Sequence, residues 1–137
     1  MNVQLVNFVD VHASIGTITT LLTTPSTFSD WMSTVVKVVQ TPDAIEITRD
    51  NSFFNPHEHM RIQAHDGIVR FISTEGLVQY QVIFRPMSFG PNWTTIYQLL
   101  ILTQPPTIPL TLLRPFLQMT FNTDLAQFAR YAEAITL

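Results

Sequence analysis

At 137 residues, 46% of them apolar and only 12% charged, with no cysteine and a net charge of −3, the chain has the length of one domain with its own core. The missing cysteines exclude disulfide frameworks, thiolate zinc sites and cysteine nucleophiles. The acidic balance gives no overall pull toward nucleic acid or anionic membrane, and no apolar run reaches the ~18–20 residues that span a bilayer.

Threonine at 18 positions and glutamine at nine cover much of the outside, while Lys37 is the only lysine beside six arginines. A weakly charged surface does not repel its neighbours, so contact with other protein is expected; composition bias is the rival explanation. The opening MNVQLVNFVDVHASIG has no basic stretch ahead of an apolar one and does not read as a signal peptide. The expected location is therefore cytoplasmic or within a virion-like assembly. Asn92-Trp93-Thr94 matches a glycosylation sequon and is read as chance.

Taken in chain order, Val3 to Val11 alternates as a strand. Residues 15–24, rich in β-branched side chains, are expected to be extended with a bend at Gly16. A helix is expected over about 27–40, opened by Thr27 and Asp30 in capping-box spacing, with Phe28, Met32, Val35 and Val39 on one face. The paired valines 35–36 and 38–39 would suit a strand equally well. Ala44 to Arg49 reads as a short strand with Ile45 and Ile47 inward.

In RIQAHDGIVRFI, Asp66-Gly67 sits between two alternating runs, the signature of a two-residue type I′ hairpin whose central residues both have positive φ. A second turn at Glu75-Gly76 completes a three-stranded meander from about 59 to 85. Asn92 to Thr103 reads as a strand apolar on both faces, and the prolines 105, 106 and 109 enforce an extended link. Residues 110–121, split by Pro115, fit either helix or strand. A terminal helix is expected over about 123–135, capped by Asn122 or Thr123, with Leu125, Phe128, Ala129, Ala132 and Ile135 as its apolar stripe. The fold class expected is α+β: a mostly antiparallel sheet of five to seven strands around a central meander, packed with two helices in a single domain.

Pairing across Asp66-Gly67 sets His65 against Ile68, Gln63 against Arg70 and Ile62 against Phe71. Alternation then puts Arg61, Gln63 and Arg70 on one face, joined by Gln79, Gln81 and Arg85 on the third strand. Arginine's planar fork suits a partner protein, phosphate or carboxylate, so these six residues are the candidate binding face; the alternative is a solvated sheet surface. Ile68, Ile72, Leu77 and Ile83 among them would give that face an apolar interior. His57, His59 and His65 are weak metal candidates: 57 and 59 share a face, but no glutamate follows at ligand spacing, and HExxH is absent. GxSxG, GxGxxG and Walker loops are absent too, so neither catalytic residues nor a cofactor are assigned.

The stretch 32–85, a helix followed by AIEIT, HMRIQAHD and GIVRFI, resembles the opening helix and strands of a DNA sliding-clamp domain. That resemblance implies a ring-forming, DNA-encircling subunit. The chain departs from it in having room for one such domain, and in helices whose only bases are Lys37 and Arg130. The leading expectation is a non-enzymatic assembly protein that partners itself as a homo-oligomer, with other proteins of an assembly as further partners. Its composition resembles that of viral and phage structural proteins. The alternatives are a nucleic-acid or anionic-ligand module on the arginine face, with nucleic acid the lesser expectation, and a small enzyme with a histidine metal site.

Overall fold

The computed structural model describes residues 3–50 and 55–135. Seven antiparallel strands form one sheet in the order β1-β7-β6-β5-β4-β3-β2, where β1 is Val3–Val11, β2 Val35–Gln40, β3 Ile45–Arg49, β4 His57–His65, β5 Ile68–Thr74, β6 Tyr80–Gly90 and β7 Trp93–Leu102. Three helices accompany it: α1 (Ile15–Leu22), α2 (Phe28–Trp31, entered through a 3-10 turn at Pro25–Thr27) and α3 (Leu110–Ile135). The expected α+β class holds, at the upper end of the strand count and with one more helix.

The meander forms as its turns dictate. Asp66 has φ 53° and Gly67 φ 74°, and the register sets His65 opposite Ile68, Gln63 opposite Arg70 and Ile62 opposite Phe71. Inward positions carry Val69, Phe71, Tyr80, Val82 and Phe84, all buried. At the second turn Gly76 has φ 113°, and a Cβ there would lie 2.8 Å from Asn55 Oδ1, whereas one at Gly67 would meet nothing within 4 Å. Gly67→Ala is therefore expected to cost about 1 kcal/mol, from strain alone, and Gly76→Ala about 2–3 kcal/mol, from strain plus displacement of Asn55. Urea titration of both variants checks this, and equal losses would show that Asn55 moves aside freely.

Three local expectations are corrected. Residues 15–22 are helical, because Ser14 caps them, its hydroxyl accepting from Thr17 N at 3.1 Å, and because Ile18, Leu21 and Leu22 are buried. Burial of that face outweighs the β preference of the threonines. The helix expected over 27–40 shrinks to α2, and the paired valines run on as edge strand β2, with Val38 opposite Ile47 and Gln40 opposite Ile45. The terminal helix starts at Leu110, not at a cap on Asn122 or Thr123, and includes Pro115. Proline is tolerated there because it removes only one bond, to the carbonyl of Thr111, close to the helix start.

Over its 26 residues α3 is about 39 Å long and lies along the inner face of the sheet. Leu113, Leu117, Phe121, Leu125, Phe128 and Ala132 face the sheet, while Ile135, expected on that stripe, is exposed. Between helix and sheet the aromatic rings interlock: Trp31 meets Phe128 edge-on at 4.9 Å, Phe71 meets Phe84 at 5.0 Å, and Tyr80 meets Phe121 at 5.4 Å. The core sits here, under α3, and so does an unusual set of buried polar groups.

Candidate functional site

Inward alternation along β3 buries Arg49 in line with Ile45 and Ile47, and along β4 it buries Glu58 in line with Met60. The two side chains meet under the helix: Arg49 Nε donates to Glu58 Oε2 at 3.0 Å and Nη2 to Oε1 at 3.3 Å. Tyr80 on β6 donates its hydroxyl to Glu58 Oε1 at 2.7 Å, and Asn55 Nδ2 reaches Oε2 at 3.2 Å. Arg49 Nη1 donates to Thr34 Oγ1 at 2.6 Å, and Nη2 also donates to the Tyr80 hydroxyl at 3.1 Å. Asn55 also donates to Val78 O at 2.6 Å and accepts from Val78 N at 2.9 Å, so it holds the β5–β6 turn against the cluster. With every partner supplied, the ion pair can stay buried.

Burial first, then the Glu58 charge, pushes the Tyr80 phenol well above its usual pKa, so it remains a neutral hydroxyl. Burial pulls Arg49 the other way, but Tyr80 and Glu58 more than offset it and the guanidinium stays charged.

From the opposite side α3 contributes Asp124, 3% exposed. Its Oδ1 accepts two bonds from Ser33, from the backbone N at 2.8 Å and the hydroxyl at 2.7 Å, which tie the helix to the turn after α2. Burial raises the Asp124 pKa, the Ser33 bonds and Arg49 opposing it only in part. Folding therefore takes up a proton between the usual carboxylate range and this raised value, so Asp124 lowers stability as pH rises through that window. Asp124→Asn, whose amide oxygen can still accept from Ser33, is expected to gain stability relative to the unmodified protein from acid toward neutral pH. Denaturation at a series of pH values reads this directly; a constant difference would place the titration elsewhere.

Arg49, Tyr80 and Asp124, together with Gln98 of β7, border a cavity of about 10 Å³, room for about one water. Trp31, Phe71, Phe84 and Phe121 form its aromatic walls, and Met32 and Met60 complete them. Gln98 is held by Asn7 Nδ2 at 2.9 Å, and Asn7 by Gln118 Nε2 at 2.5 Å, so one relay joins β7, β1 and α3. On the same inner face Ser73, between Met60 and Tyr80 in register, has a buried hydroxyl with no hydrogen-bond partner among the described residues. The cavity is thus lined by aromatic walls together with a phenol, an amide, a guanidinium and a carboxyl of raised pKa, polar groups of the kind that gather at binding sites.

The expected binding face lies elsewhere, on the outer side of the sheet. Arg61, Gln63 and Arg85 are exposed there, and half-buried Arg70 donates to Gln81 at 3.3 Å. Gln79 falls in the turn before β6, its carbonyl accepting from Thr103 N. The apolar interior expected for that face is mostly part of the sheet itself: Ile68, Ile72 and Ile83 are half-buried, and Leu77 alone of the four is exposed. The histidines do not converge. His59 bonds Glu46 at 2.6 Å, His65 meets Asp66 at 3.1 Å across the turn, and His57 is exposed. Among the described residues no group of three or more His, Cys, Asp or Glu side chains is placed to hold a metal ion.

Sequence reasoning missed the interior cluster. The signal it could have used is alternation itself, which puts Arg49 in phase with Ile45 and Ile47 and Glu58 in phase with Met60 and Ile62.

The sequence matches no protein-family model and no curated protein. Solved structures resemble the chain throughout its length. A START superfamily protein from Mycobacterium smegmatis superposes with a TM-score of 0.81 at 12% identity, covering 96% of this chain and 97% of that one. The Zhui aromatase/cyclase from Streptomyces sp. R1128 gives 0.75 at 13%, covering 97% and 94%. A point mutant of Thalictrum norcoclaurine synthase, in complex with a transition-state analogue, gives 0.73 at 13%, covering 99% and 96%.

These likenesses, to START and aromatase/cyclase proteins, overturn the expectation of a virus-like assembly protein. The sliding-clamp resemblance ends with them, because the helix it required before AIEIT is strand β2. The chain has the helix-grip fold of the START and aromatase/cyclase proteins, an antiparallel sheet closed over by its C-terminal helix.

Proposed function

We propose that this protein binds a small ring-bearing organic molecule between the sheet and α3. The observation that carries the reading is the interior cavity, where Tyr80, Gln98, Arg49 and Asp124 converge among aromatic walls at the centre of the fold. Fold likeness supports it, since an aromatase/cyclase and a synthase in complex with a transition-state analogue share the architecture. At about 10 Å³ the interior is closed around less than a ligand's volume, so binding requires the lining to move. Met32 and Met60 are suited to this, being unbranched and adaptable side chains.

The two tryptophans allow a clean test. Trp31 lines the cavity and Trp93 is 40% exposed on the outer face, so a Trp93→Phe variant reports from the interior alone. Titration with indole, phenol and 2-phenylethylamine is expected to change Trp31 emission saturably and to raise the melting temperature with at least one of them. No saturable change with any of the three would overturn the reading.

A further inference from the structure

The charged side chains buried among the described residues are Arg49, Glu58 and Asp124. Arg49 and Glu58 are bonded to each other through both carboxylate oxygens and cancel. Asp124 makes no ion pair among the described residues: its hydrogen bonds come from Ser33, whose backbone and hydroxyl donors carry no charge, and the Arg49 charge offsets its burial only in part. Around it stand Arg49 of β3, already engaged, Tyr80 of β6, a neutral phenol, and Gln98 of β7, an amide. The walls are Trp31, Phe71, Phe84 and Phe121, whose ring faces are electron-rich.

From this charge balance we infer that the interior selects an organic cation, a protonated amine carrying an aromatic ring, with Asp124 as its counter-ion. The inference rests on the proposed ligand-binding reading and narrows it. An ammonium next to Asp124 supplies the missing positive charge, and its attached ring and methylenes replace water-free contacts with the aromatic walls. Burial raises the Asp124 pKa even though Arg49 opposes it, and a cation placed against the carboxyl would lower it again. A neutral alcohol of the same shape gains only the apolar contact and one hydrogen bond, and a carboxylate meets repulsion.

The experiment compares three probes that share the phenylethyl group, on the Trp93→Phe protein at neutral pH: 2-phenylethylammonium, 2-phenylethanol and 3-phenylpropanoate, each followed by Trp31 emission. The expected order is cation tightest, at least tenfold over the alcohol, with the carboxylate weakest. Asp124→Asn is expected to bring cation and alcohol within about twofold. Should that variant not fold, acidification of the parent serves instead. Cation affinity is then expected to fall as Asp124 takes up its proton, while that of the alcohol stays level. If the alcohol or the carboxylate binds as well as the cation, the inference is overturned and the ligand-binding reading stands. If none of the three, nor indole or phenol, perturbs Trp31, both fall.

Discussion

Glu58→Ala is expected to lower stability by about 3–5 kcal/mol, a large share of the ~5–15 kcal/mol that holds a domain folded. The substitution strands Arg49 as an unpaired charge in a site 5% exposed, and it removes the acceptor for Tyr80 and Asn55 as well. Most of the loss comes from the orphaned guanidinium and not from the pair itself. The double variant Arg49→Met/Glu58→Leu is therefore expected to be more stable than Glu58→Ala, because it removes both charges and fills the space with apolar atoms. Urea denaturation of the two variants decides the point. A double variant no better than the single one would mean that the hydrogen bonds to Thr34, Asn55 and Tyr80 carry the stability.

Trp31→Ala is expected to cost a comparable 3–5 kcal/mol. Trp31 is 1% exposed and is the hub of the rings, meeting Phe28 at 5.7 Å, Phe84 at 6.5 Å and Phe128 at 4.9 Å. It joins the sheet to α3 through α2, a helix of four residues with little stability of its own. Removing it opens a void that the neighbouring aromatics cannot close, so the loss includes a cavity term on top of the lost transfer energy. Trp93→Phe, at an exposed position, should change stability by less than about 0.5 kcal/mol. Thermal melts of the two variants give the comparison, and similar melting temperatures would deny Trp31 its central place.

Much of the sheet was legible in the sequence, and the reason is local. Asp66-Gly67 demands one turn geometry, and the alternation of 61–65 and 68–72 permits one register. Strand β3 likewise carries its burial pattern in its own residues, whereas β1 buries Asn7 and exposes Phe8, and β7 is apolar on both faces although Trp93 and Tyr97 are exposed. The helices were harder. Residues 15–22 have a strand-like composition, and only the Ser14 cap and the burial of Ile18, Leu21 and Leu22 against distant strands make them helical. At 35–40 the valines allowed either structure, and pairing with β3 decided it. Pro115 looked like a break, yet α3 absorbs it near its start.

The site was the least legible part, because its members come from 34, 49, 55, 58, 80, 98 and 124 and no spacing links them. Among scattered charges, only phase marks an inward one. Glu58 stood beside histidines that drew attention outward, and Asp124 suited a first helical turn that proved to be the middle of a longer helix.

The strand order also sets a schedule. β1 has a single neighbour in the sheet, β7, with Leu5 opposite Leu100 and Val11 opposite Thr94. Every other strand has a hairpin partner close behind or ahead of it, so β2 to β7 can zip together by short steps. The first strand made is thus the last to be paired. Its apolar residues stay without a mate until nearly the whole sheet exists, and closing so long a loop is slow. During synthesis that segment is where stray β-pairing with other chains would begin, and a holdase that shields nascent strands would act there.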